Sequence, residues 1–229
     1  MEELEKIKKE IPIHETLLVG SLLAMAAGSL DAYTYLLHGE VFAGLQTGNL
    51  ILFGIHLIHP DNVGVSRYLI AILAFMLGTI LIRLFQEKFD HSRRPGIRQS
   101  FVIGWEIICM LIVALFASVL SDRAASALLS IAAAAQLQEF NRLKGAPFTS
   151  LMMTGNIRTF AASILEGLML KDHKAINKCR DIATIIGSFI VGAALVSLLS
   201  GVLGDQTIFV SIVFLLFALI CILIKTKKN

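Results

Sequence analysis

The sequence predicts an all-α integral membrane protein: six transmembrane helices plus two re-entrant half-helix segments, arranged as an inverted internal repeat (3+3). Three observations predict it. The 229 residues are 56% hydrophobic and 16% charged, with mean hydropathy +0.77, where soluble domains carry about 25% charge. Two stretches are copies of each other, and each breaks an apolar run with Thr-Gly-Asn. Lys and Arg fall between the apolar segments in an asymmetric way.

The copies are Asp31 to Gly54 (DAYTYLLHGEVFAGLQTGNLILFG) and Gln138 to Ala161 (QEFNRLKGAPFTSLMMTGNIRTFA). A shift of 107 residues lays Thr47-Gly48-Asn49 on Thr154-Gly155-Asn156, and Phe53 on Phe160. Polar backbone is costly in lipid unless it is buried in protein or lines a cavity. Interrupted apolar segments at matching places in two halves therefore point to a transport site.

In chain order, residues 1–15 form a charged arm without a secretory apolar region, read as a cytoplasmic surface helix stopped near Pro12. Repeat one, 16–120, holds crossings at about 16–37, 67–86 and 101–120 and the broken segment 41–58. Repeat two, 121–225, holds crossings at about 124–143, 182–201 and 207–224 and the broken segment 148–170. Each crossing has about the 20 apolar residues a bilayer requires. Residues 226–229 are a cytoplasmic tail.

Charge decides how the broken segments run. If all eight segments cross, 12 Lys and Arg lie inside and 7 outside, Arg158 aside. If the two broken segments turn back, the split becomes 17 to 2, with only Arg67 and Arg123 outside. Each repeat then has three crossings, an odd number, so the second copy is inverted. The two Thr-Gly-Asn tips are expected to approach each other near the bilayer midplane, with both termini cytoplasmic.

A helix that starts at midplane presents unpaired N–H groups and the positive end of its dipole. Thr47 and Thr154 are expected to be its N-caps. Gly48 and Gly155 allow close backbone approach. Gln46, Asn49 and Asn156 offer donors and acceptors. Asp31 follows a small-residue face of Gly20, Ala24 and Gly28, as Gln138 follows Ser126, Ser130 and Ala134. Intramembrane ionisable groups are functional candidates. The candidate substrate-binding set is therefore Asp31, Gln46, Thr47, Gly48, Asn49, Gln138, Glu139, Thr154, Gly155, Asn156 and Arg158. Structural readings compete: a hydrogen bond from the re-entrant backbone to Asp31, an i,i+3 pair of Glu139 with Arg142, and Arg83 or Arg98 as partners of Glu106.

Other chemistry has little support. Cys109, Cys179 and Cys221 lack metal or redox spacing. No HExxH, G-x-S-x-G or Walker-type pattern occurs. No enzyme activity, cofactor, metal site or nucleic-acid partner is expected. Tyr33, Tyr35, Tyr68 and Trp105 read as interfacial belt residues.

Gly28-x-x-Asp31-Ala32, Phe42-x-x-x-Gln46-Thr47-Gly48-Asn49, and Gln138 followed by Thr154-Gly155-Asn156 occur in order. On these motifs, across about residues 16–224, the chain resembles the YoaK family of bacterial membrane proteins, a family defined by sequence. The resemblance implies a bacterial inner or plasma membrane location and supplies no activity. Glu139 departs from the pattern, standing where an amide or small residue is expected.

The expected function is a small-solute channel or transporter, proton-coupled if Asp31 titrates. The alternative is a non-transporting scaffold or partner-binding subunit. Expected partners are membrane lipid and a small solute or ion, and small-residue faces are compatible with a homodimer.

Overall fold

The computed structural model describes residues 11–60, 64–89 and 96–226. Most of the predicted N-terminal arm, the Arg93–Arg94 connection and residues 227–229 of the tail lie outside the described residues.

The described residues are all-α apart from one small hairpin. Helix α1 spans Leu17–Leu37, α2 Gln46–Ile58, α3 Ser66–Phe89, α4 Ile97–Leu115, α5 Asp122–Glu139, α6 Met153–Met169, α7 His173–Leu203 and α8 Phe209–Thr226. Single 3-10 turns lie at Ile13–Glu15 and Gly204–Ile208. Three starts are set by side-chain caps. Thr16 Oγ1 accepts the Val19 N–H (3.5 Å), Ser121 Oγ accepts Ala124 N–H (3.3 Å), and Asp172 Oδ1 accepts Lys174 N–H (2.8 Å).

Several predicted boundaries move, among them both ends of α4, which spans Ile97–Leu115 instead of about 101–120. Helix α5 stops at Glu139 instead of near 143, because Arg142–Leu143 pairs antiparallel with Ala146–Pro147 across Lys144 (φ 50°) and Gly145 (φ 82°). Helix α7 begins at His173 instead of near 182, since the Asp172 cap starts it in charged sequence. Among the described residues, four stretches are long and apolar enough to cross a membrane: Leu17–Leu37, Ser66–Phe89, Ile97–Leu115 and His173–Thr226, the last holding both α7 and α8. Helix α5 carries Asp122, Arg123 and Glu139 within its 18 residues and is not among them.

The 107-residue shift extends to the helix starts. Gln46 and Met153 open α2 and α6, and Ser66 and His173 open α3 and α7. Packing follows the same exchange. Helix α1 packs on α7 and α8, as α5 packs on α3 and α4; α2 lies on α3 as α6 lies on α7; α4 meets α8.

Small residues set how closely these pairs approach. A Cβ on Gly28 would collide with the Phe189 carbonyl, and one on Gly192 with the Met25 carbonyl. At this crossing Ser29 Oγ donates to the Gly192 carbonyl (3.1 Å). In the other pair, a Cβ on Gly78 would lie 2.8 Å from Ile131 Cα. Such contacts are how small residues let apolar helices associate. The main core gathers α1, α4, α5 and α8 around Leu23, Ile103, Met110, Leu129 and Leu215. Tyr33 and Tyr68 are fully buried, so they are core residues and not belt residues; Tyr68 instead stacks on His56 (5.4 Å).

Candidate functional site

The first Thr-Gly-Asn segment is held by its own side chains. Asn49 is fully buried. Its Oδ1 accepts the Phe42 N–H (2.9 Å), and its Nδ2 donates to the Phe42 carbonyl (2.7 Å) and to Gln46 Oε1 (2.9 Å). Gln46 Nε2 in turn donates to the Ala43 carbonyl (2.7 Å). A carboxamide that meets both backbone groups of one residue satisfies polar groups that lipid or protein interior would leave unpaired. The Phe42 ring stacks on Tyr35 (4.9 Å) and closes over the helix start, where a Cβ on Gly48 would lie 2.9 Å from Phe42 Cδ2.

Asp31 anchors the same loop from α1. Its Oδ1 accepts the Gly44 N–H (2.6 Å) and, more weakly, Leu45 N–H (3.4 Å). Thr34 Oγ1, one turn on, accepts Ala43 N–H (3.1 Å). Asp31 Oδ2 is buried with no hydrogen-bond partner among the described residues.

Repeat two keeps part of this design. Asn156 Nδ2 donates to the Thr149 carbonyl (2.8 Å), seven residues back as in repeat one, and contacts Met153 Sδ (3.4 Å). Thr149 replaces Phe42, so no ring covers Gly155, and a Cβ there meets open space. Ser150, the counterpart of Ala43, is fully buried and accepts from Gln136 Nε2 (2.6 Å), which also reaches the Leu23 carbonyl (3.1 Å).

The two loops meet at equivalent positions. A Cβ on Gly44 would collide with Leu151 and lie 3.4 Å from Asp31 Oδ1. Residues 44 and 151 are related by the 107-residue shift, so their contact lies where the two repeats exchange.

A family model described as "Protein of unknown function (DUF1275)" matches residues 19–221, across both loops. The chain belongs to this DUF1275 family. It is also 27% identical over 188 residues to the UPF0700 transmembrane protein YoaK of Bacillus subtilis (strain 168), covering 78% of this chain and 81% of that protein. No solved structure matches it. The relative's transmembrane description and the four long apolar helical stretches agree with a multi-pass, all-α membrane protein. Within the matched region, the segment 42–49 closes on itself: its first and last residues, Phe42 and Asn49, hydrogen-bond to each other.

Several candidate residues lie elsewhere. Thr47 and Thr154 are exposed and cap nothing; the N-caps are Leu45 and Met152, without side-chain caps. Asp31 and Asn49 already hold the loop before α2, and Asn156 and Gln136 bond to the loop before α6. Gly155 and Arg158 are exposed, and Arg158 has no ion pair or hydrogen bond among the described residues. Gln138 Nε2 donates to Gln86 Oε1 (3.2 Å) and does not repeat the role of Asp31.

Glu139 belongs to a second polar cluster, between α3, α4 and α5. Its side chain is fully buried, and Oε1 accepts from Arg98 Nε (2.9 Å) and Gln99 Nε2 (2.7 Å), Oε2 from Gln86 Nε2 (2.7 Å). Charge-assisted bonds of this kind are what permit a buried carboxylate. Its pairing with Arg142 does not form, since the chain leaves the helix after Glu139. Arg98 and Arg83 are not paired with Glu106: Arg83 meets Glu87 (3.9 Å), and Glu106 Oε1 is buried without a partner among the described residues. The cluster borders a polar cavity of about 250 Å³. Sequence reasoning missed Gln86 and Gln99. Their only signal was a polar side chain near a helix end, which is ordinary.

Above the cavity, Glu15 fastens the N-terminal turn to the 142–147 hairpin. Its carbonyl accepts Lys144 N–H (2.7 Å) and its Oε2 accepts Gly145 N–H (2.9 Å), while Lys144 Nζ pairs with Asp181 (2.6 Å). Burial holds His14 below its usual pKa, against the opposing field of Glu15. Among the described residues, no group of three His, Cys, Asp or Glu is placed to hold a metal ion.

Proposed function

We propose that this DUF1275 protein is a transporter or channel for a small solute in a bacterial inner membrane. It acts at the junction of its two half-helix loops and carries out no chemistry on its cargo. One observation carries the reading: a buried carboxylate oxygen, Asp31 Oδ2, lacks a partner beside the Gly44–Leu151 contact where the two repeats meet. An unpaired buried acceptor costs free energy, and an intramembrane ionisable group is a functional candidate. The exchange of helix partners between the halves supports six crossings and two re-entrant half-helices related by inversion. Helix α2 rises about 20 Å over its 13 residues, longer than half of a hydrocarbon core of about 30 Å, so it tilts or ends in the interface. The cationic sequence flanking α3 and α4 sets both termini on the cytoplasmic side in this reading.

The close fit of Gly44 on Leu151 favours a second reading, a packed scaffold with no path at the centre. Reconstitution separates the two. Proteoliposomes with a trapped pH dye and a panel of small solutes are compared for the wild type, Asp31→Asn and Asn156→Ala. The transport reading expects solute-dependent flux that both substitutions reduce. Flux that neither substitution alters rejects this site, and no flux for any solute favours the scaffold.

A further inference from the structure

The repeats differ at one place that the transport reading does not use. Helices α1 and α7 touch backbone to backbone at Gly28 and Gly192. The equivalent pair, α5 and α3, has Ala135 and Phe85 at those positions, and both residues line an opening there. The opening, completed by α4, is an apolar groove of about 350 Å³ lined by Ile82, Phe85, Val102, Trp105, Ile131 and Ala135. Phe101 and Trp105 on its wall are 57% and 44% exposed, so it opens sideways to whatever surrounds α4.

The groove and the Glu139 cavity lie along the same three helices. Ile82 is four residues from Gln86 on α3, Val102 is three residues from Gln99 on α4, and Ala135 is four residues from Glu139 on α5. Residues at these spacings share a helix face. The same three helices thus present an apolar slot that ends in a polar chamber. The chamber carries both signs: Arg98 and Arg142 against Glu15 and Glu139, with carboxamides between. His14 lines it, and its Nδ1 is buried with no partner among the described residues. An amphiphile with an apolar chain and a head bearing both charges matches the slot along its length.

We propose that this slot seats one aminophospholipid from the bilayer, with an acyl chain against Trp105 and Ala135 and the phosphoethanolamine head in the chamber. The phosphate lies toward the guanidinium of Arg142, which suits phosphate oxygens. The primary ammonium has three N–H donors for His14 Nδ1 and the Glu15 carboxylate. A choline head has no N–H to offer, and a glycerol head lacks the positive charge. This inference is independent of the transport reading.

Trp105 is the only tryptophan in the chain, and it reports directly on the groove. The full-length protein is placed in phosphatidylcholine bilayers containing increasing fractions of dibrominated phosphatidylethanolamine, phosphatidylglycerol or phosphatidylcholine, and quenching of Trp105 fluorescence is read. The expected result is saturable quenching with brominated phosphatidylethanolamine favoured at least about threefold over both others. Arg142→Ala removes that preference, and Leu81→Phe, at the groove mouth, lowers quenching by phosphatidylethanolamine. Both positions are exposed, and circular dichroism confirms that each variant is folded. Equal quenching by the three lipids marks ordinary boundary lipid and overturns the proposal. Stronger quenching by phosphatidylglycerol overturns the head-group assignment, and a preference that survives both substitutions overturns the location.

Discussion

Asp31 and Gly44 are joined by a 2.6 Å hydrogen bond from the Gly44 backbone N–H to Oδ1 of the carboxylate. This bond fixes the loop of repeat one against α1 at the point where Leu151 of repeat two arrives. Replacing Asp31 with Leu strands two buried N–H groups, at about 1–3 kcal/mol for a lost partner. Asp31→Asn keeps an acceptor at Oδ1 and is expected to cost less. Thermal unfolding in detergent should rank wild type above Asp31→Asn, and Asp31→Asn above Asp31→Leu. Equal midpoints for the two variants would show that the carboxylate is not a structural anchor.

The two asparagines should not be equivalent. Asn49 makes three hydrogen bonds and is fully buried, whereas Asn156 makes one to a carbonyl and one weak contact to sulfur. Asn49→Ala is expected to be more destabilising than Asn156→Ala by about 1–2 kcal/mol. Hydrogen exchange at Phe42 and its neighbours should quicken in Asn49→Ala. The Thr149 loop should loosen less in Asn156→Ala.

Glycine positions give a steric contrast. Gly28→Ala and Gly192→Ala place a methyl into a facing carbonyl, so each should cost about 1–3 kcal/mol or force α1 and α7 apart. Gly155→Ala and Gly187→Ala meet open space and are expected to be near neutral or slightly stabilising. Melting temperatures of the four variants test this. Loss of stability at Gly155 or Gly187, with none at Gly28, would contradict the packing described.

The buried carboxylate of Glu139 makes Arg98 sensitive. Arg98→Ala leaves the charge with amide donors alone and is expected to destabilise by about 3–5 kcal/mol. The double substitution Arg98→Met with Glu139→Gln removes both charges and should recover most of that loss. A double variant as unstable as Arg98→Ala would show that the charge pair is not what holds these helix ends together.

How much of this was legible in the sequence varies by level. Length, hydropathy and the 107-residue copy located all eight helices, because apolar runs and turn residues act over short distances. The copy also foretold that α2 and α6 start at matching places. The small-residue faces foretold close helix approach, and Gly28 delivers it. The partners of the polar residues could not be read this way. Glu139 and Gln138 both meet Gln86 on α3, yet only Glu139 also reaches Arg98 and Gln99 on α4. The roles of Thr47 and Thr154 also went to others: Asn49 and Asp31 bond to the first loop, and Asn156 to the second.

Sequence alone determined that this chain is apolar enough to live in a membrane, that it is built twice, and that each half is interrupted by Thr-Gly-Asn. Those properties follow from composition and local spacing. Tertiary structure alone decided that Gly44 meets Leu151, that Glu139 is neutralised by Arg98, and that Phe85 and Ala135 line a groove where Gly192 and Gly28 stand in close contact in the other pair. Such outcomes depend on which side chains long-range packing brings together, and spacing along the chain does not encode that.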